Sequence, residues 1–146
     1  MKLIPYLLFF NGDCREAFDF YATALGGQIV MCVTYGDVPA SPAPPPLPEA
    51  AKAQIAHVNL LVGGESIMGG DSIMGCTGQE HVDGRNDTTV NISVDTIEEA
   101  ERVFAALSAG GEIRMPLMET DWSLRFAMFE DRYGKPWMIN CNKPLA

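Results

Sequence analysis

Glu16-Ala-Phe-Asp-Phe-Tyr-Ala-Thr-Ala-Leu-Gly-Gly-Gln-Ile29 and Glu99-Ala-Glu-Arg-Val-Phe-Ala-Ala-Leu-Ser-Ala-Gly-Gly-Glu-Ile113 are one pattern written twice, the second time with one insertion. In the first copy Ala17, Phe18, Tyr21 and Leu25 recur at helical spacing, Asp13 can cap the helix and Gly26-Gly27 stops it. In the second copy Asp95 or Thr96 caps a helix from Ile97 to Ala109, which ends at Gly110-Gly111. Each helix is preceded by one β-compatible run, Lys2–Phe10 or Asp87–Val94, and followed by three. These are Gln28–Tyr35, Ala53–Val62 and Glu65–Gly69 in the first half, and Glu112–Met118, Trp122–Glu130 and Pro136–Cys141 in the second. The pattern predicts an α+β fold: a single domain, 1–146, made of two βαβββ modules, about 1–75 and 86–146. The glycine-rich stretch 70–87, which holds His81, reads as the linker. With one face of each sheet under its helix, the other faces are expected to close around a central cavity.

A chain of 146 residues buries roughly 68–70% of its unfolded surface, enough for a core without metals or disulfides. The formal net charge of −9 argues against nucleic acid and anionic membranes as partners, since both need basic patches. The apolar start Met1–Phe10 is interrupted by Pro5 and lacks a small-residue cleavage site, so it is expected to be a strand and not a leader. Cys14, Cys32, Cys76 and Cys141 lie far apart with no zinc-like spacing, which fits reduced thiols in a cytoplasmic protein. Gly36–Pro48 holds a proline run that neither a helix nor a central strand accepts. It reads as a lid, a partner arm or an idle insertion.

Within Ala53-Gln-Ile-Ala-His-Val-Asn-Leu-Leu-Val62, alternation puts Ala56, Val58, Leu60 and Val62 on one face. Ile55, His57, Asn59 and Leu61 share the other, so an imidazole and an amide sit side by side on a sheet. Burying polar groups without partners is costly, which makes this face a candidate site as well as a candidate for a satisfied core.

The βαβββ repeat resembles the vicinal oxygen chelate superfamily of glyoxalases, bleomycin-resistance proteins and dioxygenases, and within it the PhnB-like branch, also called the 3-demethylubiquinone methyltransferase domain. Ile4–Tyr21, Ile55-Ala-His-Val-Asn59 and Asp131-Arg-Tyr-Gly-Lys-Pro-Trp-Met-Ile-Asn140 carry the likeness. It implies a half-open barrel around the cavity, and a homodimer. It also implies a divalent metal held by His, Glu or Gln on the first and last strands of each half. Carried over by repeat offset and by distance from the glycine turns, those places fall on Tyr6, Thr89, Met68 and Met138. This donor set does not suit a hard or borderline divalent ion, so no metal and no cofactor is expected. A methyltransferase's S-adenosylmethionine site would need a glycine-rich strand-to-helix turn, which the chain lacks.

The parity set by Tyr6 and Thr89 gives the inward residues: Tyr6, Leu8, His57, Asn59, Met68, Thr89, Asn91, Met138 and Asn140. Ser123, Arg125 and Ala127 join them if Leu124, Phe126 and Met128 face the helix. The expected ligand-binding set is therefore Tyr6, His57, Asn59, Met68, Thr89, Asn91, Arg125, Met138 and Asn140, around a small organic molecule. The alternative is a lyase, isomerase or dioxygenase with His57 as base, or with His57 and a carboxylate from Asp71, Glu119 or Glu130 in a non-standard metal site. A third reading makes Pro42–Pro48 a partner-binding arm.

Overall fold

The computed structural model describes residues 1–38, 47–73 and 88–144. His81, Cys76 and Pro42–Pro46, and most of the glycine-rich linker, lie outside the described residues. The chain divides into two compact units, Met1–Asp83 and Gly84–Ala146. The first runs β1 (Tyr6–Phe9), α1 (Cys14–Leu25), β2 (Gln28–Thr34), β3 (Ile55–Val62), β4 (Glu65–Asp71). The second runs β5 (Val90–Ser93), α2 (Ile97–Ser108), β6 (Glu112–Met118), β7 (Ser123–Glu130), β8 (Pro136–Asn142). Their sheets have the same plan, β1-β4-β3-β2 and β5-β8-β7-β6, with the first strand of each unit parallel to the last and the other pairs antiparallel. The fold is α+β, and the repeat in sequence is a repeat in topology. Pro116 lies in β6, at the sheet edge, where a missing N–H is tolerated.

The doubled Gly-Gly has a distinct physical reason at each place. Gly26 and Gly110 take the left-handed backbone (φ 67° and 77°) that ends the helices. Their followers leave no room for a side chain. A Cβ on Gly27 would lie 2.7 Å from the Leu61 carbonyl oxygen, and one on Gly111 would overlap that of Glu130. The chain thus turns off each helix directly against the third strand of its unit.

In the first unit α1 buries Cys14, Ala17, Phe18, Tyr21 and Ala24 against Val58 and Leu60 of β3 and the bare backbone of Gly69. Each large apolar side chain contributes roughly 1.5–3 kcal/mol by leaving water. In the second unit α2 buries Ala100, Val103 and Leu107, and β7 and β8 bury Ala127, Phe129, Trp137 and Ile139. Phe104 meets Phe129 edge-on at 5.5 Å.

Two buried carboxylates tie these units together internally. Asp13 makes no side-chain capping bond to α1. The N-terminal Cys14 N–H instead donates to Asp71 of β4 at 3.1 Å, and Ile55 N–H donates to the other oxygen at 2.8 Å. A carboxylate at a helix start also answers the positive end of the helix dipole. In the second unit Thr96 accepts from Glu99 N–H. Asp131 accepts from the N–H groups of Tyr133 and Lys135 and from the Trp137 indole. The Asp131–Trp137 segment is therefore a knot that closes the β7–β8 turn and fixes the largest core side chain.

The expected first strand shrinks to Tyr6–Phe9. Pro5 offers no N–H, and only its carbonyl joins the sheet, accepting from Met68 N–H. Among the described residues no helix is long and apolar enough to cross a membrane.

Candidate functional site on the open sheet faces

The face of the first sheet turned away from α1 is organised in cross-strand rows. Register places Met31 opposite Asn59, Asn59 opposite Met68 and Met68 opposite Tyr6, so one row crosses all four strands. In the next row Val33 lies opposite His57, and Leu8 opposite Gly70. Four expected site residues, Tyr6, His57, Asn59 and Met68, are thus brought onto one face. Ile55, which strict alternation adds to it, is buried at the strand's start, where its N–H meets Asp71.

Tyr6 is 46% exposed, and its hydroxyl lies 3.2 Å from His57 Nδ1 and 3.4 Å from the Ala56 carbonyl oxygen. The two rings stack at 5.7 Å and 25°. Burial pushes the Tyr6 phenol up from its ordinary pKa, with charge at Cys14 adding in the same direction. The hydroxyl therefore keeps its proton. When that proton goes to Nδ1, the neutral imidazole carries its own on Nε2. Gly70 makes the arrangement fit, because a Cβ there would stand 2.8 Å from the Ala56 carbonyl oxygen and 3.0 Å from the Tyr6 hydroxyl.

Asn59 Oδ1 is buried and has no hydrogen-bond partner among the described residues. A buried acceptor left in this condition costs about 1–3 kcal/mol. It sits in the middle of the row, between two methionines.

The open face of the second sheet has the same rows with different chemistry. Met115, Met128, Met138 and Asn91 form one; Met118, Phe126, Asn140 and Ser93 form the next. Trp122 meets Phe126 edge-on at 5.5 Å. Asn140 Oδ1 lies 2.7 Å from the Ser123 hydroxyl, which also stands 2.6 Å from the Arg125 and 2.8 Å from the Cys141 carbonyl oxygen, all within its own unit.

Two expectations shift here. Thr89 precedes β5, and the residue opposite Met138, as Tyr6 is opposite Met68, is Asn91. The helix offset misses this because the turn into α2 is shorter than the turn into α1. The parity assumed for β7 is reversed. Phe126 and Met128 pair with Asn140 and Met138 on the open face, while Ala127 is buried opposite Ile139. Arg125 pairs with buried Cys141 and reaches Glu101 of α2 at 3.8 Å, so it lies on the helix side, away from Asn91, Met138 and Asn140. The register irregularity between Ser123 and Arg125 and apolar residues on both faces hide this from alternation. Met31, Met115, Met128 and the buried Phe126 share these faces and escape a reading by alternation. Only laddering β2 against β3, and β6 against β7, finds them.

Of the carboxylates considered beside His57, Asp71 is committed to Cys14 and Ile55. Glu119 pairs with Lys143 at 2.8 Å, and Glu130 with Arg114 at 3.3 Å. Among the described residues no three His, Cys, Asp or Glu side chains gather as a metal site would require.

Residues 3–139 match the profile of the glyoxalase/bleomycin resistance protein/dioxygenase superfamily. The chain is 33% identical to protein YjdN of Escherichia coli (strain K12), over 98% of this chain and 97% of that protein. Among solved structures it resembles protein PA1353 of Pseudomonas aeruginosa, with 38% identity, a TM-score of 0.83 and 99% of each chain covered. It also resembles a Bacillus cereus PhnB protein described as a putative 3-demethylubiquinone-9 3-methyltransferase, with 24% identity and a TM-score of 0.73, over 96% of this chain and 98% of that one.

Proposed function

Because the chain belongs to the glyoxalase/bleomycin resistance protein/dioxygenase superfamily, we propose that it is a small-molecule-binding protein of that glyoxalase-like fold that works without the divalent ion. The observation that carries this reading is the register of the first and last strands. Tyr6 stands opposite Met68, and Asn91 opposite Met138. A phenol, an amide and two thioethers do not fit a hard or borderline divalent cation, which takes carboxylate, imidazole or thiolate. They do fit an organic molecule with apolar and polar parts. The ligand lies on the open face of the first sheet, against Tyr6, His57, Asn59 and Met68. The face bearing Asn91, Met138 and Asn140 is a second apolar-and-amide surface of the same kind.

A metabolite screen by thermal shift on metal-free protein tests this. Hits that weaken with His57→Ala and Asn59→Ala support it, and indifference of every hit to both changes counts against it. Stoichiometric zinc, iron, manganese or nickel in protein purified without chelator would overturn the metal-free part.

A second reading, a lyase or isomerase with His57 as base, draws on one observation: the Tyr6 hydroxyl holds the imidazole from its Nδ1 side. As a base His57 takes the other tautomer, with Nδ1–H donating to the Tyr6 oxygen and the Nε2 lone pair left to accept a proton, and imidazole is the side chain that exchanges protons near neutral pH. Conversion of any hit to product, abolished by His57→Gln, would establish it. The reading also takes the protein as a cytoplasmic homodimer. Val30, half-exposed on edge strand β2, is apolar area for a second copy, and light scattering after gel filtration checks it.

A further inference from the structure

We propose that the open face of the first sheet recognises a carboxamide: a neutral group with an N–H donor beside its own carbonyl acceptor, carried on a flat apolar body. This rests on the reading that a small organic ligand occupies that face, and adds what the ligand must carry.

Two polar atoms on this face have no use within the protein. Asn59 Oδ1 is buried without a partner among the described residues. An occupant there must bring a donor, since a carboxylate or ketone oxygen would set lone pair against lone pair. His57 spends Nδ1 on the Tyr6 hydroxyl, and its Nε2 has no hydrogen bond among the described residues. The single Tyr6 proton is assigned to Nδ1 at 3.2 Å, the shorter contact, over the Ala56 carbonyl oxygen at 3.4 Å, which makes Nε2–H a donor. His57 and Asn59 stand two apart on one strand and on one side, roughly 6.6 Å between Cα positions. The face thus offers one acceptor and one donor side by side. A carboxamide answers both with a single planar group, its N–H to Asn59 and its carbonyl to His57.

Other classes fit less well. The neighbours in these two rows are Met31, Met68, Tyr6, Val33, Leu8 and Gly70, none of them acidic, so an ammonium would be desolvated without a counter-charge. An alcohol carries its donor and its acceptor on one oxygen, whereas a carboxamide spreads them over two atoms, matching two protein groups that stand apart along the strand. The thioethers of Met31 and Met68 and the Tyr6 ring are polarisable walls suited to a flat π-system.

The sister unit supplies an independent observation. Asn59 lies opposite Met68, and the residue in the same relation to Met138 is Met128. The scaffold accepts a thioether at that ladder position, so an amide with an idle carbonyl is not there for the fold.

The test is an NMR titration of the full chain with benzamide, N,N-dimethylbenzamide and benzoate, reading the Asn59 side-chain amide and the His57 ring. Benzamide is expected to shift both. Dimethylbenzamide, which has lost the donor, and benzoate, which is anionic, are each expected to bind about tenfold or more weakly, the cost of one unmade hydrogen bond. Asn59→Leu, shown folded by circular dichroism, is expected to erase the preference for benzamide. If all three probes bind equally and still shift both side chains, the carboxamide inference fails and the ligand face stands. If benzamide binds without moving either side chain, or does not bind up to its solubility limit, the inference fails, and metabolite-screen hits mapped by the same two signals decide the face separately.

Discussion

Replacing Asn59 by leucine should make the protein more stable while weakening binding of the proposed ligand. Leucine has the same branching as asparagine and no polar atoms, so it removes the buried, unpartnered Oδ1 and sets two methyl groups between Met31 and Met68. The relief is the desolvation penalty of one orphaned acceptor, about 1–3 kcal/mol. For a chain of this size each kcal/mol moves Tm by about 2–4 °C, so a gain near 2 kcal/mol corresponds to about 4–8 °C. Thermal unfolding by calorimetry and urea titration at 25 °C measure it, and the midpoint in urea should rise with an unchanged slope. The same variant should show no further rise with ligands that stabilise the parent protein. A fall in Tm or in the urea midpoint would refute the reasoning. It would mean that the amide has hydrogen bonds in the native protein and is part of the core's own satisfaction.

Four further outcomes follow from the geometry. Asp71→Asn should lose about 2–3 kcal/mol in urea unfolding, because one of two buried N–H donors then faces an NH₂ group; Asp13→Ala, at the position without a capping bond, should change stability by less than about 0.5 kcal/mol. Gly70→Ala should cost about 1–3 kcal/mol by overpacking and should remove the Tyr6–His57 contact, seen as loss of the nuclear Overhauser signal between the rings. Arg125→Ala should leave every ligand's affinity unchanged and cost at most about 1 kcal/mol, the range of an exposed ion pair. Tyr6 ionises above its ordinary value near 10.0. The native state therefore holds this proton more tightly than the unfolded chain, and the stability it contributes, fully present below that pH, falls as pH rises through the native pKa. Tyr6→Phe should flatten this alkaline decline in stability between pH 9 and 12.

Much of this fold is legible because the repeat is written in residues whose reasons are local. The α1 limits, the β6 limits and both Gly-Gly stops follow from helical spacing and from backbone that only glycine accepts. The face of β3 is equally plain, since His57 and Asn59 interrupt an apolar run at period two. The face of β7 is not, because Phe126 and Met128 on the open side are as apolar as Ala127 and Phe129 on the buried side. Alternation then has no polarity to report, and the irregularity after Ser123 shifts the phase. The carboxylate that serves the start of α1 is hidden for a different reason. Asp13 is adjacent in sequence, whereas Asp71, 57 residues further along, reaches Cys14 from the neighbouring strand, where it lies opposite Phe9. Sequence proximity ranks the wrong carboxylate first.

The two units are each other's control for what the scaffold demands. Where both keep the same feature, as with the left-handed glycine after the helix and the close-packed one beside it, the fold is sufficient reason. The open faces are where they part. Tyr6 has Asn91 at its ladder position, Asn59 has Met128, and His57, one place before Val58, has Phe126. Gly70 has Asn140; in the first unit a side chain there would stand 2.8 Å from the Ala56 carbonyl oxygen and 3.0 Å from the Tyr6 hydroxyl. In the second unit the amide of Asn140 has the Ser123 hydroxyl within hydrogen-bond distance. In the first, the amide of Asn59 is closed by nothing among the described residues. A scaffold that folds with methionine and phenylalanine at these two places has no structural need of an imidazole and an idle carbonyl, and the proposed ligand is what would give the first face a use for them.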